Sequence, residues 1–85
     1  MESKKFPKGK IYLKIIRFFH DNPASIDTPR GVATWTNEDI GNVRSALEKL
    51  AKSGLLVAHE VSSTVAYTYT RDKKLIAQAK KLLEE

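Results

Sequence analysis

The segment that most constrains the fold is TNEDIGNVRSALEKLAKSGLL, residues 36–56. Its apolar residues recur at intervals of three, four and three positions, which is the spacing of one face of an α-helix. Thr36 or Asn37 is suited to cap the start, and carboxylates fill the first turn, where the helix dipole favours negative charge. Gly54 is suited to the left-handed residue that ends a helix. The segment therefore predicts an amphipathic helix over 37–53, with a buried stripe made of Ile40, Val43, Leu47 and Leu50.

The other face of this helix carries side chains suited to contacts with a partner. Arg44 lies about 90° from the centre of the buried stripe at 100° per residue. It is therefore also placed to pair with Glu48, four residues later on the same side of the helix. The side chains that point away from the stripe are Gly41, Asn42, Ser45 and Lys49.

Two helices are predicted before this segment. The first runs from Lys10 to about Asn22, because Pro23 cannot continue a helix. Its apolar arc is wider than the roughly 100° of an ordinary surface helix, since Leu13 and Ile16 extend it. We therefore expect this helix to be buried on more than one side.

The second helix is short and is predicted by TPRGVATWT, residues 28–36. Thr28 is a suitable N-cap, and Pro29 suits the first helical position because it lacks an N–H that would be unpaired there. The residues expected to face inward from this helix are Val32, Ala33 and Trp35.

The residues that follow predict a β-hairpin and a last helix. The run LLVAHEVSSTVAYTYT is rich in β-branched and aromatic residues and is interrupted by three hydroxyl residues. This pattern favours strands over 55–61 and 65–70. Thr70 or Asp72 is suited to cap a final helix over 71–85. The inward face of that helix would consist of Leu75, Ile76, Ala79, Leu82 and Leu83.

This order of elements resembles the winged helix-turn-helix fold. The resemblance covers residues 10–75 and is carried by VRSALEKLAKSGLLVAHEV, which leads into YTYTRD. The spacing of Val43, Arg44 and the leucines before Gly54 is similar to the end of the recognition helix in small prokaryotic regulators of the MarR and ArsR kind. The resemblance implies an α+β domain with three helices, a two-stranded wing and a C-terminal helix. It also implies a transcriptional regulator without a ligand-binding domain, from an archaeon or an archaeal virus.

The resemblance further implies that residues 37–53 lie in the major groove of double-stranded DNA. Asparagine can pair with adenine through two hydrogen bonds, and arginine can reach guanine or a phosphate. Serine and lysine suit phosphate oxygens, which set the register of the protein on the duplex. The implied DNA-binding set on and beside this helix is Thr36, Asn37, Gly41, Asn42, Arg44, Ser45, Lys49 and Lys52.

The hairpin tip departs from the family pattern, because it lacks the arginine or lysine that many winged helices insert into the minor groove. The tip here is Ser62-Ser63-Thr64, so we expect Ser63 to contact a phosphate at most. Positive charge is concentrated elsewhere: residues 1–20 hold six basic and one acidic side chain, whereas residues 21–85 sum to zero. We expect residues 1–9 to form a basic arm that reaches DNA, or a solubilising tail. The phosphate-binding lysines of this region would be Lys4, Lys5, Lys8 and Lys10.

The remaining composition argues against several other classes of protein. The chain has no cysteine, which rules out disulfides and cysteine zinc sites and favours a cytoplasmic, reducing compartment. His20 and His59 have no carboxylate at metal-ligand spacing, and no phosphate-binding glycine loop occurs. No apolar run is long enough to cross a bilayer. We therefore expect no catalytic site, metal, cofactor, small-molecule substrate or membrane contact.

Self-association is expected, because the first and last helices offer more apolar surface than one small domain leaves exposed. A homodimer would place two recognition helices about 34 Å apart on a pseudo-palindromic site. The alternative is that the last helix folds back onto the first within one chain. The predicted dimer interface consists of Leu13, Ile16, Leu75, Ile76, Ala79, Leu82 and Leu83.

Two other functions are compatible with this pattern. The chain also resembles an RNA-bound ribosomal protein that contains a winged helix, and some winged helices serve only to dock other proteins. The affinities for duplex DNA and for structured RNA distinguish these possibilities.

Overall fold

The computed structural model describes residues 6, 7 and 9–84. Within these residues, four helices accompany an antiparallel sheet of three strands in the order β1-β3-β2. This arrangement confirms the predicted α+β class. The elements are α1 (Lys10–Asp21), β1 (Ile26–Asp27), α2 (Pro29–Thr36), α3 (Ile40–Lys52), β2 (Leu56–Val61), β3 (Thr64–Tyr69) and α4 (Lys73–Glu84).

Helix α1 is the centre of the packing, as its wide apolar arc predicts. Ile15, Ile16 and Phe19 are completely buried. The helix packs against α2, α3, α4 and β3, which explains why a single apolar stripe is not enough. It ends at Asp21, two residues before Pro23, so the predicted end at Asn22 is correct to one residue.

The turn between α2 and α3 is built differently from the prediction. The Thr28 hydroxyl caps α2 by accepting a hydrogen bond from the Gly31 N–H at 3.3 Å, as predicted. The cap of α3, however, is Asp39, whose carboxylate accepts from the Asn42 N–H at 3.1 Å. Thr36 is still part of α2, and Asn37 ends α2 in the left-handed conformation, with φ 58°. Neither is free to cap the next helix, so α3 covers 40–52 instead of the predicted 37–53.

The end of α3 and the hairpin follow the prediction closely. Gly54 has φ 92°, and the Leu55 N–H donates to the Leu50 carbonyl at 3.2 Å, which is the helix-ending motif that glycine favours. The hairpin turns through Ser62 and Ser63, with Ser62 at φ 50°. The predicted strands 55–61 and 65–70 are each correct to one residue at either end.

The predicted two-stranded sheet is incomplete, because a third strand pairs with the hairpin. Strand β1 is only two residues long, and Ile26 and Asp27 lie opposite Thr68 and Tyr67 of β3. A strand this short lies in a polar loop and has no detectable period, so the sequence gives no signal for it. It makes β3 the central strand and leaves β2 at the edge.

Helix α4 folds back onto α1 within the chain. The Asp72 carboxylate caps it by accepting from the Lys74 N–H at 2.9 Å, which confirms one of the two predicted caps. The Arg17 guanidinium donates to the Leu83 carbonyl at 3.3 Å and ties the two helices together. The observed helix covers 73–84 of the predicted 71–85, and residue 85 lies outside the described residues.

The predicted arm is not entirely separate from the domain. Phe6 is only 8% exposed and belongs to the hydrophobic core. Phe6 is therefore packed against the domain, while residues 1–5 and 8 of the predicted arm lie outside the described residues. The sequence does not indicate the packing of Phe6 against the core, because an isolated aromatic residue between lysines and a proline has no periodic pattern.

Tyr69 gives the fold a dependence on alkaline pH. Burial raises the pKa of its phenol to about 12 from 10.0, while His20 Nδ1 lies 3.1 Å from its oxygen. A raised pKa in the folded state contributes stability that is complete below pH 10 and is lost as the pH rises through 12. We expect urea unfolding to show a falling free energy of unfolding over this range. The Tyr69→Phe variant should lack most of this fall, and an identical pH dependence in both proteins would contradict the assignment.

Candidate nucleic-acid interface

Helices α2 and α3 form a helix-turn-helix joined by residues 37–39. The buried side of α3 consists of Val43, Ala46, Leu47 and Leu50, each at most 1% exposed. Ile40 was expected in the same stripe but is 38% exposed, because it is the first residue of the helix and lies at the edge of the core. The opposite side of α3 is open to solvent.

The solvent-facing side chains of α3 form no side-chain hydrogen bond or ion pair with other described residues. The Arg44–Glu48 pair that the sequence allows does not form, and the one ion pair within residues 6, 7 and 9–84 joins Lys14 and Glu38. Their donors are consequently available to a partner. The predicted contact residues on this face are Asn42, Arg44, Ser45, Lys49 and Lys52, all of them exposed.

Gly41 has a local reason for being glycine. A Cβ atom at this position would lie 3.1 Å from Asp39 Oδ2, the oxygen that caps α3. That distance is tighter than ordinary van der Waals contact, so a larger residue would press on the cap. The place of Gly41 in the implied DNA-binding set is compatible with this role but is not needed to explain the glycine.

The wing brings a second predicted contact residue to the same region. A shallow cleft of about 260 Å³ lies between α3 and the hairpin, and its lining includes Arg44, Glu48 and Ser63. Helix α3 and the hairpin tip thus meet at a common surface. We call this surface the α3–wing face and define it by Asn42, Arg44, Ser45, Lys49, Lys52 and Ser63.

Glu48 places negative charge within the α3–wing face. Burial, and secondarily the carboxylate of Glu48, raise the pKa of Tyr67 on β3. Glu48 also lines the cleft beside Arg44, although no ion pair forms between them. Its charge opposes the approach of any anionic partner to this cleft.

Some predicted contact residues lie outside this face. Thr36 is only 9% exposed, and its hydroxyl donates to the Val32 carbonyl at 2.8 Å, so its side chain is not available to a partner. Asn37 is exposed in the turn. Lys10 is exposed at the start of α1, whereas Lys4, Lys5 and Lys8 lie outside the described residues.

Lys14, which stabilises the turn of the helix-turn-helix, was not predicted from the sequence as a residue with this role. Lys14 of α1 donates to the Glu38 carboxylate at 2.7 Å and to the Thr36 carbonyl at 3.3 Å. The cation therefore lies at the carboxyl end of α2, where the helix dipole favours it. These residues are more than twenty positions apart, and no local pattern connects them.

Trp35 also differs from its prediction. It was expected to face inward, but it is 71% exposed and stacks on Phe18 of α1 with ring centroids 6.2 Å apart. The buried positions of α2 are Pro29, Val32 and Thr36, which leaves Trp35 on the outer flank. A helix of two turns gives too few positions to fix its inner face from sequence.

The predicted dimer interface is only partly on the surface. Ile16 and Ala79 are completely buried within the chain, so they must be removed from the predicted set. Leu13 is 37% exposed. The four remaining residues pack against the core while staying partly exposed: Leu75, Ile76, Leu82 and Leu83.

No other kind of site stands out in the part of the chain that the structure describes. It contains no group of three or more histidine, aspartate or glutamate side chains able to hold a metal ion. None of its helices has both the length and the apolar character needed to cross a membrane. A cleft of about 670 Å³ lies beside the sheet and is lined by residues 23–26 and 71 and by side chains of β2 and β3, among them Val57, His59 and Thr68.

Comparisons with known proteins identify the fold. No protein-family model and no curated protein matches the sequence. Among solved structures, a possible transcriptional regulator from Methanosarcina mazei is similar with a TM-score of 0.73 and 13% identity, over 91% of this chain and 71% of that one.

Two further solved structures are also similar to this chain. The homodimeric winged helix-turn-helix DNA-binding domain of a possible ArsR-family regulator from Mycobacterium bovis gives a TM-score of 0.69 at 18% identity, over 91% of this chain and 70% of that one. The ferric uptake regulator from Francisella tularensis gives 0.70 at 15% identity, over 85% of this chain and only 59% of that one. The chain therefore has the winged helix-turn-helix fold.

Proposed function

We propose that this chain is a transcriptional regulator that binds double-stranded DNA in a sequence-specific manner, with α3 in the major groove. The observation that supports it best is the α3–wing face. Side chains of the types that can read bases and bind phosphates are exposed there on one helix, and they form no ion pairs with one another. The solved structures with this fold include proteins described as regulators and as DNA-binding domains.

The side chains of this face divide into two roles. Asn42 and Arg44 have the geometry for two hydrogen bonds to adenine and guanine edges, so they would read sequence. Ser45, Lys49 and Lys52 would hold phosphates and set the register of the helix. Ser63 at the tip of the hairpin would add one phosphate contact from the wing. The chain would act by binding, in the cytoplasm, and not by catalysis.

The electrostatic part of the affinity cannot come from α3 alone. Residues 39–52 carry three basic and two acidic side chains, a net of only +1. We propose that Lys4, Lys5, Lys8 and Lys10 contribute phosphate contacts from the amino-terminal region. Removing those residues should lower the affinity for all duplexes alike, since phosphate contacts carry no sequence information.

We further propose that the regulator binds as a homodimer. The similar domain from Mycobacterium bovis is homodimeric. The apolar side chains that remain partly exposed on α1 and α4, Leu13, Leu82 and Leu83, are the candidates for such an interface. Light scattering behind size-exclusion chromatography tests this directly. A monomer mass at tens of micromolar would rule out this dimer.

Titration of fluorescent duplex DNA, followed by anisotropy at several salt concentrations, tests the proposed function. We expect binding whose logarithmic affinity falls steeply and linearly with the logarithm of salt concentration. A structured RNA of the same length serves as the competitor. Preference for that RNA would favour an RNA-bound role, and no binding to either nucleic acid would favour a protein-docking role.

The Glu48→Gln variant should bind DNA more tightly than the natural chain. Unit charges 4 Å apart interact by about 1 kcal/mol in water, so removing the carboxylate should raise the affinity up to about fivefold. The pKa of Tyr67 should fall in the variant but stay raised, because burial is the larger cause. The matched control is Asp21→Asn at the exposed end of α1, which should leave the affinity unchanged. If the Glu48→Gln variant bound DNA with unaltered affinity, Glu48 would not lie in the DNA interface.

A further inference from the structure

Among the four helices of the described residues, α4 carries the largest net positive charge. Residues 71–84 hold five basic and two acidic side chains, a net of +3. The corresponding net for residues 39–52 is +1, and the hairpin region 53–70 has one acidic side chain and neither lysine nor arginine. The function proposed above gives no role to the charge on α4.

The lysines of α4 form an ordered surface. Lys73 and Lys80 are seven residues apart, as are Lys74 and Lys81, so each pair spans about 10 Å along the helix axis. All four side chains are exposed, whereas Ala79 on the opposite side is completely buried. We call these four residues the lysine face.

The helix dipole favours Lys81, which lies in the last turn of α4, but it does not account for the rest of the lysine face. Lys73 and Lys74 lie in the first turn, where the helix dipole disfavours positive charge, and that turn contains no acidic residue. The carboxylate that precedes them in the sequence, Asp72, accepts hydrogen bonds from the backbone N–H groups of Lys74 and Leu75. Among the described residues the lysine face forms no ion pair. Four clustered cations without partners fit a polyanion better than they fit the stability of the helix.

Helix α4 contacts a different side of α1 from the helix-turn-helix. Phe18 of α1 stacks on Trp35 of α2, whereas Arg17 of α1 donates to the Leu83 carbonyl of α4. Phe18 and Arg17 are about 100° apart around α1. Helix α4 packs mainly against α1, and the described residues show no extensive packing between α4 and α3. The lysine face is therefore a surface separate from the α3–wing face.

We propose that the lysine face is a second nucleic-acid contact, which holds the phosphate backbone of another duplex. This inference rests on the proposed DNA-binding function. One domain would then join two duplexes, with α3 selecting one by sequence and α4 holding the other through charge alone. The α4 contact would be insensitive to sequence and strongly weakened by salt, because it depends on released counterions.

A bridging assay tests this inference. One 24-base-pair duplex is fixed to beads, and an identical duplex with a fluorescent label is added together with the full chain. We expect the chain to retain the labelled duplex. The variant Lys73→Gln/Lys74→Gln/Lys80→Gln/Lys81→Gln should retain at least tenfold less, while its affinity for a single free duplex by anisotropy falls less than threefold. The matched control replaces the same four lysines by arginine, keeps the charge, and should bridge like the natural chain.

The outcomes separate the inference from the function on which it rests. Equal bridging by the glutamine variant, or no bridging by the natural chain despite tight duplex binding, would overturn the inference alone. Loss of all duplex binding in the glutamine variant would also overturn it, because α4 would then be the primary DNA contact. No duplex binding by the natural chain would refute the proposed function itself. Unfolding curves test for a folding defect. The glutamine variant should be about as stable as the natural chain, since losing Lys73 and Lys74 removes charges that oppose the helix dipole, whereas losing Lys81 removes one that the dipole favours.

Discussion

Replacing both Asn42 and Arg44 by alanine is expected to abolish the preference of this chain for its best binding sequence. Each bidentate contact with a base edge discriminates by about 1–3 kcal/mol. Two such contacts correspond to a loss of specific affinity between about 30-fold and 10⁴-fold. Both side chains are exposed and form no side-chain hydrogen bond or ion pair with other described residues, so the fold should be unaffected. The measurement is anisotropy with the best duplex selected from a random pool, compared with a scrambled duplex.

The control for this variant is Lys49→Ala on the same helix. Lys49 would hold a phosphate, so its removal should weaken the selected and the scrambled duplex by the same factor and lower the salt slope by about 1. The double variant should instead affect the selected duplex far more than the scrambled one. Equal losses on both duplexes would show that Asn42 and Arg44 do not read bases.

Replacing Leu47 by alanine should have the largest effect on stability. Leu47 is completely buried under α3 and belongs to the core cluster. Leucine-to-alanine changes at such sites cost about 2–5 kcal/mol, which lowers the melting temperature of a domain of this size by roughly 10 °C or more. Calorimetry or thermal circular dichroism measures this shift.

Ile40 provides the comparison on the same helix and the same predicted stripe. It is 38% exposed, so Ile40→Ala should cost less than about 1 kcal/mol by the area removed from water. The sequence pattern alone predicts equal losses for the two variants, because it places both residues in the stripe. Similar melting temperatures for Leu47→Ala and Ile40→Ala would therefore contradict the position of α3 in the core.

Strong local patterns allowed much of the fold to be predicted. The period of Val43, Leu47 and Leu50 identifies the buried side of α3, and Gly54 marks its end through a backbone conformation that glycine favours. Pro23 and Pro29 bound the first two helices by the lack of an N–H group. The same period predicts the contact residues on α3, since a side chain that is not in the buried stripe must face solvent.

The features that were missed depend on contacts between distant residues. Strand β1 exists only because β3 is beside it, and the placement of Lys14 against Glu38 depends on how α1 crosses the turn. The choice of Asp39 as the cap depends on where α2 ends, which a helix of eight residues leaves uncertain by one turn. The burial of Ile16 and Ala79 likewise requires knowing that α4 returns to α1. The sequence shows that Ile16 and Ala79 are apolar, but it does not show which surface covers them.

Nuclear magnetic resonance tests the central claim most directly, by following the backbone amide signals during titration with the selected duplex. We predict that the largest shifts occur in residues 40–52 and at Ser63, with the side-chain amide of Asn42 among them. At low salt and excess duplex, a second set of shifts should appear on α4. Shifts confined to α1, α4 and the amino-terminal region, with α3 unchanged at every salt concentration, would contradict the assignment of α3 as the DNA-reading helix.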